Sequence, residues 1–138
     1  MQFLKAQSAV EYVVIVGIAL IILIPLWLNV NTQMGIVRTE LQSTYAQQAV
    51  AKIRGAADAV YVQGQPAQFT ILVNFPDNVR NVTVSGNEIS MRLTTSAGDT
   101  DAVAITLGPV TGNLSTSVGT HRVLVKAQGG MVNITDAG

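Results

Sequence analysis

The sequence predicts an α+β protein, with one long N-terminal helix followed by an antiparallel, β-sandwich-like domain. Three observations carry this. No formal charge occurs between Glu11 and Arg38, and Val13–Leu28 is apolar throughout once Gly17 and Pro25 are counted in. From Val30 the apolar residues recur at spacings of three and four, one face of a helix. From Asp58 the period becomes two, with turn residues between short alternating runs.

The first stretch has the length of a membrane span. At about 1.5 Å per residue, a helix over Ala9–Leu28 covers roughly 30 Å, the thickness of a bilayer's hydrocarbon core. Pro25 should kink or loosen it, because proline removes one hydrogen bond and crowds the preceding turn. Beyond it, Val30, Met34, Val37, Leu41, Tyr45, Ala49, Ile53, Ala56 and Val60 form an apolar stripe against a polar but weakly charged face. Gly55 is the first plausible stop, so one helix is expected over 7–57, roughly 75 Å long. Such a helix needs neighbours to bury its apolar surface.

The remainder, 58–138, reads as seven or eight short strands. Phe69, Ile71, Val73 and Phe75 alternate with Thr70, Leu72 and Asn74, and Ile89, Met91 and Leu93 alternate with Ser90, Arg92 and Thr94. Val103, Ile105 and Leu107 alternate with Ala102, Ala104 and Thr106, and Val123 and Val125 with Arg122, Leu124 and Lys126. Val60–Val62, Val79–Val84 and Val132–Thr135 complete the set. Turns are expected at Gly64-Gln65-Pro66, Pro76-Asp77-Asn78, Ser85-Gly86-Asn87, Ala97-Gly98-Asp99, Gly108-Pro109 and Gly129-Gly130.

Composition narrows the chemistry. The 138 residues include no cysteine, which excludes a disulfide framework, a thiolate metal site and a cysteine nucleophile. Lys+Arg and Asp+Glu balance at 8 each with no basic run, which argues against a nucleic-acid surface. Charged residues are 12% of the chain, about half the usual share, while 49% are hydrophobic. Much of the chain is therefore expected to sit in lipid or in a subunit interface.

The start of the sequence is the most specific signal. Lys5-Ala6-Gln7-Ser8-Ala9-Val10-Glu11-Tyr12 leads straight into the apolar run. A secretory leader places its small-residue cleavage site after the apolar segment, whereas here Lys5 and Ala6 precede it. This arrangement resembles the prepilin leader of the type IV pilin superfamily, and QSAVEY is similar to its archaeal version. The ending GTHRVLVKAQGGMVNI also resembles that of archaeal pilins. The resemblance implies a ladle-shaped pilin architecture and removal of a leader, 1–6, by a prepilin peptidase, with cleavage between Ala6 and Gln7. It further implies an assembly platform and places Glu11 fifth in the mature chain, as the family has it. Physics supplies a reason: a carboxylate in an apolar helix is costly unless paired, and cleavage would create an ammonium on Gln7. Glu11 is expected to neutralise the Gln7 amine of a neighbouring subunit; the bland alternative is a glutamate reaching lipid headgroups. An uncleaved signal anchor is the other reading of the leader.

Weaker candidates lie in the β-rich part. Asn81-Val-Thr, Asn113-Leu-Ser and Asn133-Ile-Thr are glycosylation sequons, whose bland reading is polar residues at strand edges. Asp99 and Asp101 beside Gly98 could offer calcium two oxygens, but no complete loop accompanies them, so a solvated turn is expected. His121 has no second histidine and no carboxylate partner visible in the sequence. No phosphate loop, nucleophile elbow or HExxH occurs, so neither an enzyme nor a cofactor is expected.

Together these readings imply a homo-oligomeric helical filament, held in the cytoplasmic membrane before assembly and exposed on the cell surface afterwards, serving adhesion or cell–cell contact. The alternatives are a single-pass, membrane-anchored β-sandwich binding module and an archaeal flagellar filament subunit, whose leader usually reads differently from QSAVEY.

Overall fold

A computed structural model describes residues 2–138, with side chains from Gln7 onward. Met1 and the side chains of Gln2–Ala6, and with them most of the expected leader, lie outside the described residues. The chain divides into two compact units, Met1–Arg38 and Thr39–Gly138. A single helix, α1 (Gln2–Gln63), supplies the first and the opening of the second.

The helix passes through Pro25 and Gly55 and ends six residues beyond the expected position 57. Its stop is Gly64, at φ 68°, whose N–H donates to the Val60 carbonyl at 3.0 Å. This is a left-handed C-terminal cap that glycine adopts without steric cost. The expected strand Val60–Val62 is therefore the last full turn of α1. Ile53, Ala57 and Val60 lie four and three residues apart on one face and are all buried, so packing at helical spacing overrides the β-preference of a valine–tyrosine–valine run.

Five strands follow: β1 (Gln68–Phe75), β2 (Val79–Thr95), β3 (Gly98–Asn113), β4 (Gly119–Gln128) and β5 (Met131–Asp136). They form one sheet in the order β1-β4-β5-β3-β2. Three pairings are antiparallel, but β3 runs parallel to β5 over Val110–Asn113 and Val132–Thr135. The α+β arrangement expected from the sequence is present, while its β part is a single mixed sheet of five strands rather than a sandwich of seven or eight. The second layer is the helix. Ala46, Ala49, Val50, Ile53, Ala57 and Val60 of α1 bury against Val73, Phe75, Ile89, Met91, Leu93, Val123, Val125 and Ile134.

The strand count fell for a second local reason. Ser85-Gly86-Asn87 does not reverse the chain: Gly86 adopts φ 64° at a shift of register between β2 and β3, so the two expected strands are halves of β2. Bulges of this kind bend a strand and sharpen its twist. Bending is needed, because only Pro76–Asn78 connects β1 at one edge to β2 at the other. A flat five-stranded sheet is about 19 Å wide at 4.8 Å per strand, more than the roughly 14 Å that four residue steps reach. The sheet curls, and the Thr94 N–H donates to the Asn78 carbonyl at 3.0 Å.

In β3 the small residues face the core. Ala102 and Thr106 are buried and Ala104 is half-buried, while Val103, Ile105 and Leu107 point outward. Close approach to α1 selects this phase. A Cβ on Gly108 would overlap the Tyr61 ring, and the Leu107 N–H donates to Asp58 Oδ1 at 2.8 Å. Gly112 is likewise required, since at φ 154° a side chain there would run into the Ile134 carbonyl of β5.

Candidate functional site

Within the first unit the functional surface is the helix itself. From Val10 to Val37 its large apolar side chains are all between 38% and 72% exposed, so none is buried within the unit. Leu23, Ile24, Leu26, Trp27, Leu28 and Val30 border an open apolar concavity of about 420 Å³. Thr32 bends its hydroxyl back to donate to the Leu28 carbonyl at 3.0 Å, hiding one polar group in this surface. Pro25 has no N–H, so the carbonyl four residues earlier, on Ile21, loses its helical donor.

At the start of this surface Gln7 and Glu11 share a face, one helical turn apart. Gln7 Nε2 donates to Glu11 Oε1 at 3.5 Å, the outer limit for a hydrogen bond, and both residues are exposed. The intrachain contact therefore occupies Glu11 only weakly and leaves its carboxylate open to a stronger cation. Ala6 lies among residues whose side chains are not described.

The most connected polar cluster is in the second unit. His121 on β4 is buried and stacks on Phe75, with ring centroids 4.5 Å apart and planes at 27°. Its Nδ1 lies 3.0 Å from Asp136 Oδ2 on β5. Its Nε2 lies 2.7 Å from the Ser117 carbonyl oxygen and 3.3 Å from Ser117 Oγ. Serine, histidine and aspartate thus converge as in a hydrolytic triad, but with the histidine turned to another use. A carbonyl oxygen only accepts, so Nε2 donates to it and offers no lone pair with which to activate the serine. The cluster acts as a clasp, joining the segment before β4 to the end of β5. Sequence reasoning left His121 without a carboxylate; Asp136 reaches it only through the β4–β5 register, which pairs Asp136 with Val123. We expect His121→Ala to cost about 2–3 kcal/mol, because it strips a buried ring and leaves a partly buried aspartate unpaired. In the full-length chain in micelles this should appear as a sheet melting transition lowered by roughly 10 °C or more.

The remaining candidates are separate. Asn81 and Asn113 are exposed and Asn133 is half-buried on β5; Asn81 Nδ2 donates to the hydroxyl of its own sequon, Thr83 Oγ1, at 3.1 Å. The carboxylates near Gly98 are engaged within the β2–β3 hairpin. Asp101 receives two bonds from Arg92, at 2.7 and 2.8 Å, and Asp99 accepts from Thr94 Oγ1 at 2.9 Å. The Arg92 hydrogen bonds, helped by its charge, hold the Asp101 carboxyl below its ordinary range. Among the described residues no three His, Asp or Glu side chains gather in a way that could hold a metal ion.

No family model, curated protein or solved structure matches this chain. Function must therefore be argued from the surfaces themselves. The largest of these is the first: α1 is long and apolar enough to cross a membrane, and its apolar window has no buried residues. A surface of that size exposes far more apolar area than water tolerates on a solitary soluble protein.

Proposed function

We propose that this chain is the structural subunit of an archaeal type IV adhesion pilus. The observation that carries the reading is the charge-free apolar helix, with no buried residue in its apolar window, placed directly after the Lys5–Tyr12 signature. Before assembly the helix is solvated by lipid. After cleavage between Ala6 and Gln7 it is solvated by the helices of neighbouring copies, each burying apolar area at about 25 cal/mol per Å². Head-to-tail contacts whose rotation does not close generate an open helical filament. The Thr39–Gly138 unit forms the coat, and through it the filament meets surfaces or other cells. Exposed Asn81 and Asn113 give that coat two places for glycans, with half-buried Asn133 less accessible.

Glu11 sets the register of assembly in this proposal. Its carboxylate receives the Gln7 ammonium of an adjacent subunit, a far stronger donor than the intrachain amide at 3.5 Å. Surface material sheared from cells and viewed by electron microscopy should contain filaments whose main protein begins at Gln7. Both Glu11→Ala and Glu11→Gln should reduce filament yield at least tenfold, on the order of 1.4 kcal/mol or more per contact. Unchanged yield in both variants would remove the pairing role. Lone molecules in micelles that begin at Met1 would replace the pilus with the membrane-anchored binding module.

A further inference from the structure

Two open surfaces of the sheet, one towards each edge, expose apolar side chains: the first is bordered by Gln47, Ala51 and Arg54 of α1, with Arg54 paired to Asp58, and the second by Asp136, paired to His121. The first is the β2–β3 hairpin, where Val103, Ile105 and Leu107 remain 54%, 67% and 63% exposed. Glu88 lies directly opposite Ile105 in the register, and Asp99 stands nearer the hairpin's tip. Arg92, the only cation between Glu88 and Leu107, is taken up by Asp101. Asp99 accepts from Thr94 and faces the Arg92 charge, which leaves the exposed Glu88 carboxylate as the one without an ion pair among the described residues of this hairpin.

The second surface lies on β1 and β4. Arg122 and Lys126 are exposed on either side of half-buried Leu124, and Leu72, 57% exposed, lies directly opposite Arg122. Neither cation has an ion pair among the described residues. Each surface thus combines outward apolar side chains with charge that has no ion pair among the described residues, Glu88 on the hairpin and Arg122 and Lys126 on β4.

We infer that the β2–β3 hairpin face of one chain docks on the β1–β4 face of a second copy, an inference that rests on the filament reading. Ile105 meets Leu72, which brings Glu88, beside Ile105, to Arg122, beside Leu72. The two faces differ and lie towards opposite edges of the sheet, so the contact is head-to-tail and repeats without closing. Its size fits a coat contact. Three side chains more than half exposed present roughly 300 Å² of apolar patch, short of the about 800 Å² per partner of a stable free complex. Such a contact forms once the helices have brought copies together and raised their effective concentration.

The absence of native cysteine makes the contact directly measurable. Full-length Ile105→Cys and Leu72→Cys chains are mixed, assembled and oxidised. The mixture should yield disulfide-linked dimers at least about fivefold above either variant alone, since a head-to-tail contact brings unlike positions together. Adding Glu88→Arg to the first chain, or Arg122→Glu to the second, should cut the yield about fivefold. Combining the two reversals should restore it to within about twofold, because the pair is then re-formed with its signs exchanged. Filaments that form without dimers above the single-variant level overturn the contact and leave the pilus reading standing. Should the wild-type chain form no filaments, that reading fails, and the same mixture is oxidised in proteoliposomes. Dimers there support the contact on its own, whereas their absence there overturns it as well. Yield that stays low with both reversals together also overturns it.

Discussion

Ile53→Asp is expected to unfold the Thr39–Gly138 unit while leaving the first unit's helix intact. Ile53 is fully buried at the middle of the stripe by which α1 covers the sheet. A carboxylate there would lose its hydration among Val, Phe, Ile and Met side chains, with no cation on the buried stripe to receive it. Burial of an unpaired charge costs several kcal/mol even after relaxation, against a total stability of about 5–15 kcal/mol for a domain. A unit of this size without disulfides has little margin. Ile53→Ala is the graded version and should cost about 2–5 kcal/mol through lost transfer energy and a residual cavity. Lys52→Asp, one residue away on the exposed face, should stay within about 0.5 kcal/mol. Circular dichroism of full-length protein in micelles separates these outcomes: Ile53→Asp should lose the β-sheet signal and its melting transition yet retain helix from the lipid-solvated segment. A preserved sheet transition in that variant would mean that the helix is not the sheet's second layer.

How far the sequence discloses this architecture depends on how local each signal is. The apolar helix is readable because everything that defines it lies within a turn or two of chain. The end of α1 is less so. Gly55 and Gly64 are equally good stops by composition, and what separates them is that Ala57 and Val60 still have a core to enter. Ser85-Gly86-Asn87 is ambiguous in the same way, since a glycine at positive φ serves a reversing turn and a bulge alike. Strand alternation states that one face is buried but not what buries it, so sheet-on-sheet and helix-on-sheet look identical along the chain. The clue was in β3, where Ala102, Ala104, Thr106 and Gly108 are too small to build a layer against a second sheet yet suit a helix passing close by. His121 and Asp136 were the least legible, because their contact depends wholly on strand register.

Ile18→Asp should abolish both membrane insertion and filament formation, the largest functional effect expected from a single substitution in the first unit. Ile18 lies at the middle of the expected Ala9–Leu28 span and is 55% exposed on a helix long and apolar enough to cross a membrane. A carboxylate at the centre of a spanning helix costs about 2.5–3.5 kcal/mol during insertion, enough to lower the inserted-to-uninserted ratio more than 50-fold. The same side chain would cost at least as much in a filament core, where every neighbouring copy carries the same unpaired charge and repulsion adds to desolvation. Glu11 would escape this penalty by position, since it stands at the edge of the run, next to Gln7, where the proposed cleavage would create an amine. The contrast yields a sharp comparison. Ile18→Leu should insert and assemble normally, Glu11→Gln should insert but assemble poorly, and Ile18→Asp should do neither. Carbonate extraction of membranes and counts of sheared filaments, taken on the three variants together, test this order. Normal assembly by Ile18→Asp would show that the apolar helix lies outside the filament's axis and would remove the basis for reading this chain as a pilus subunit.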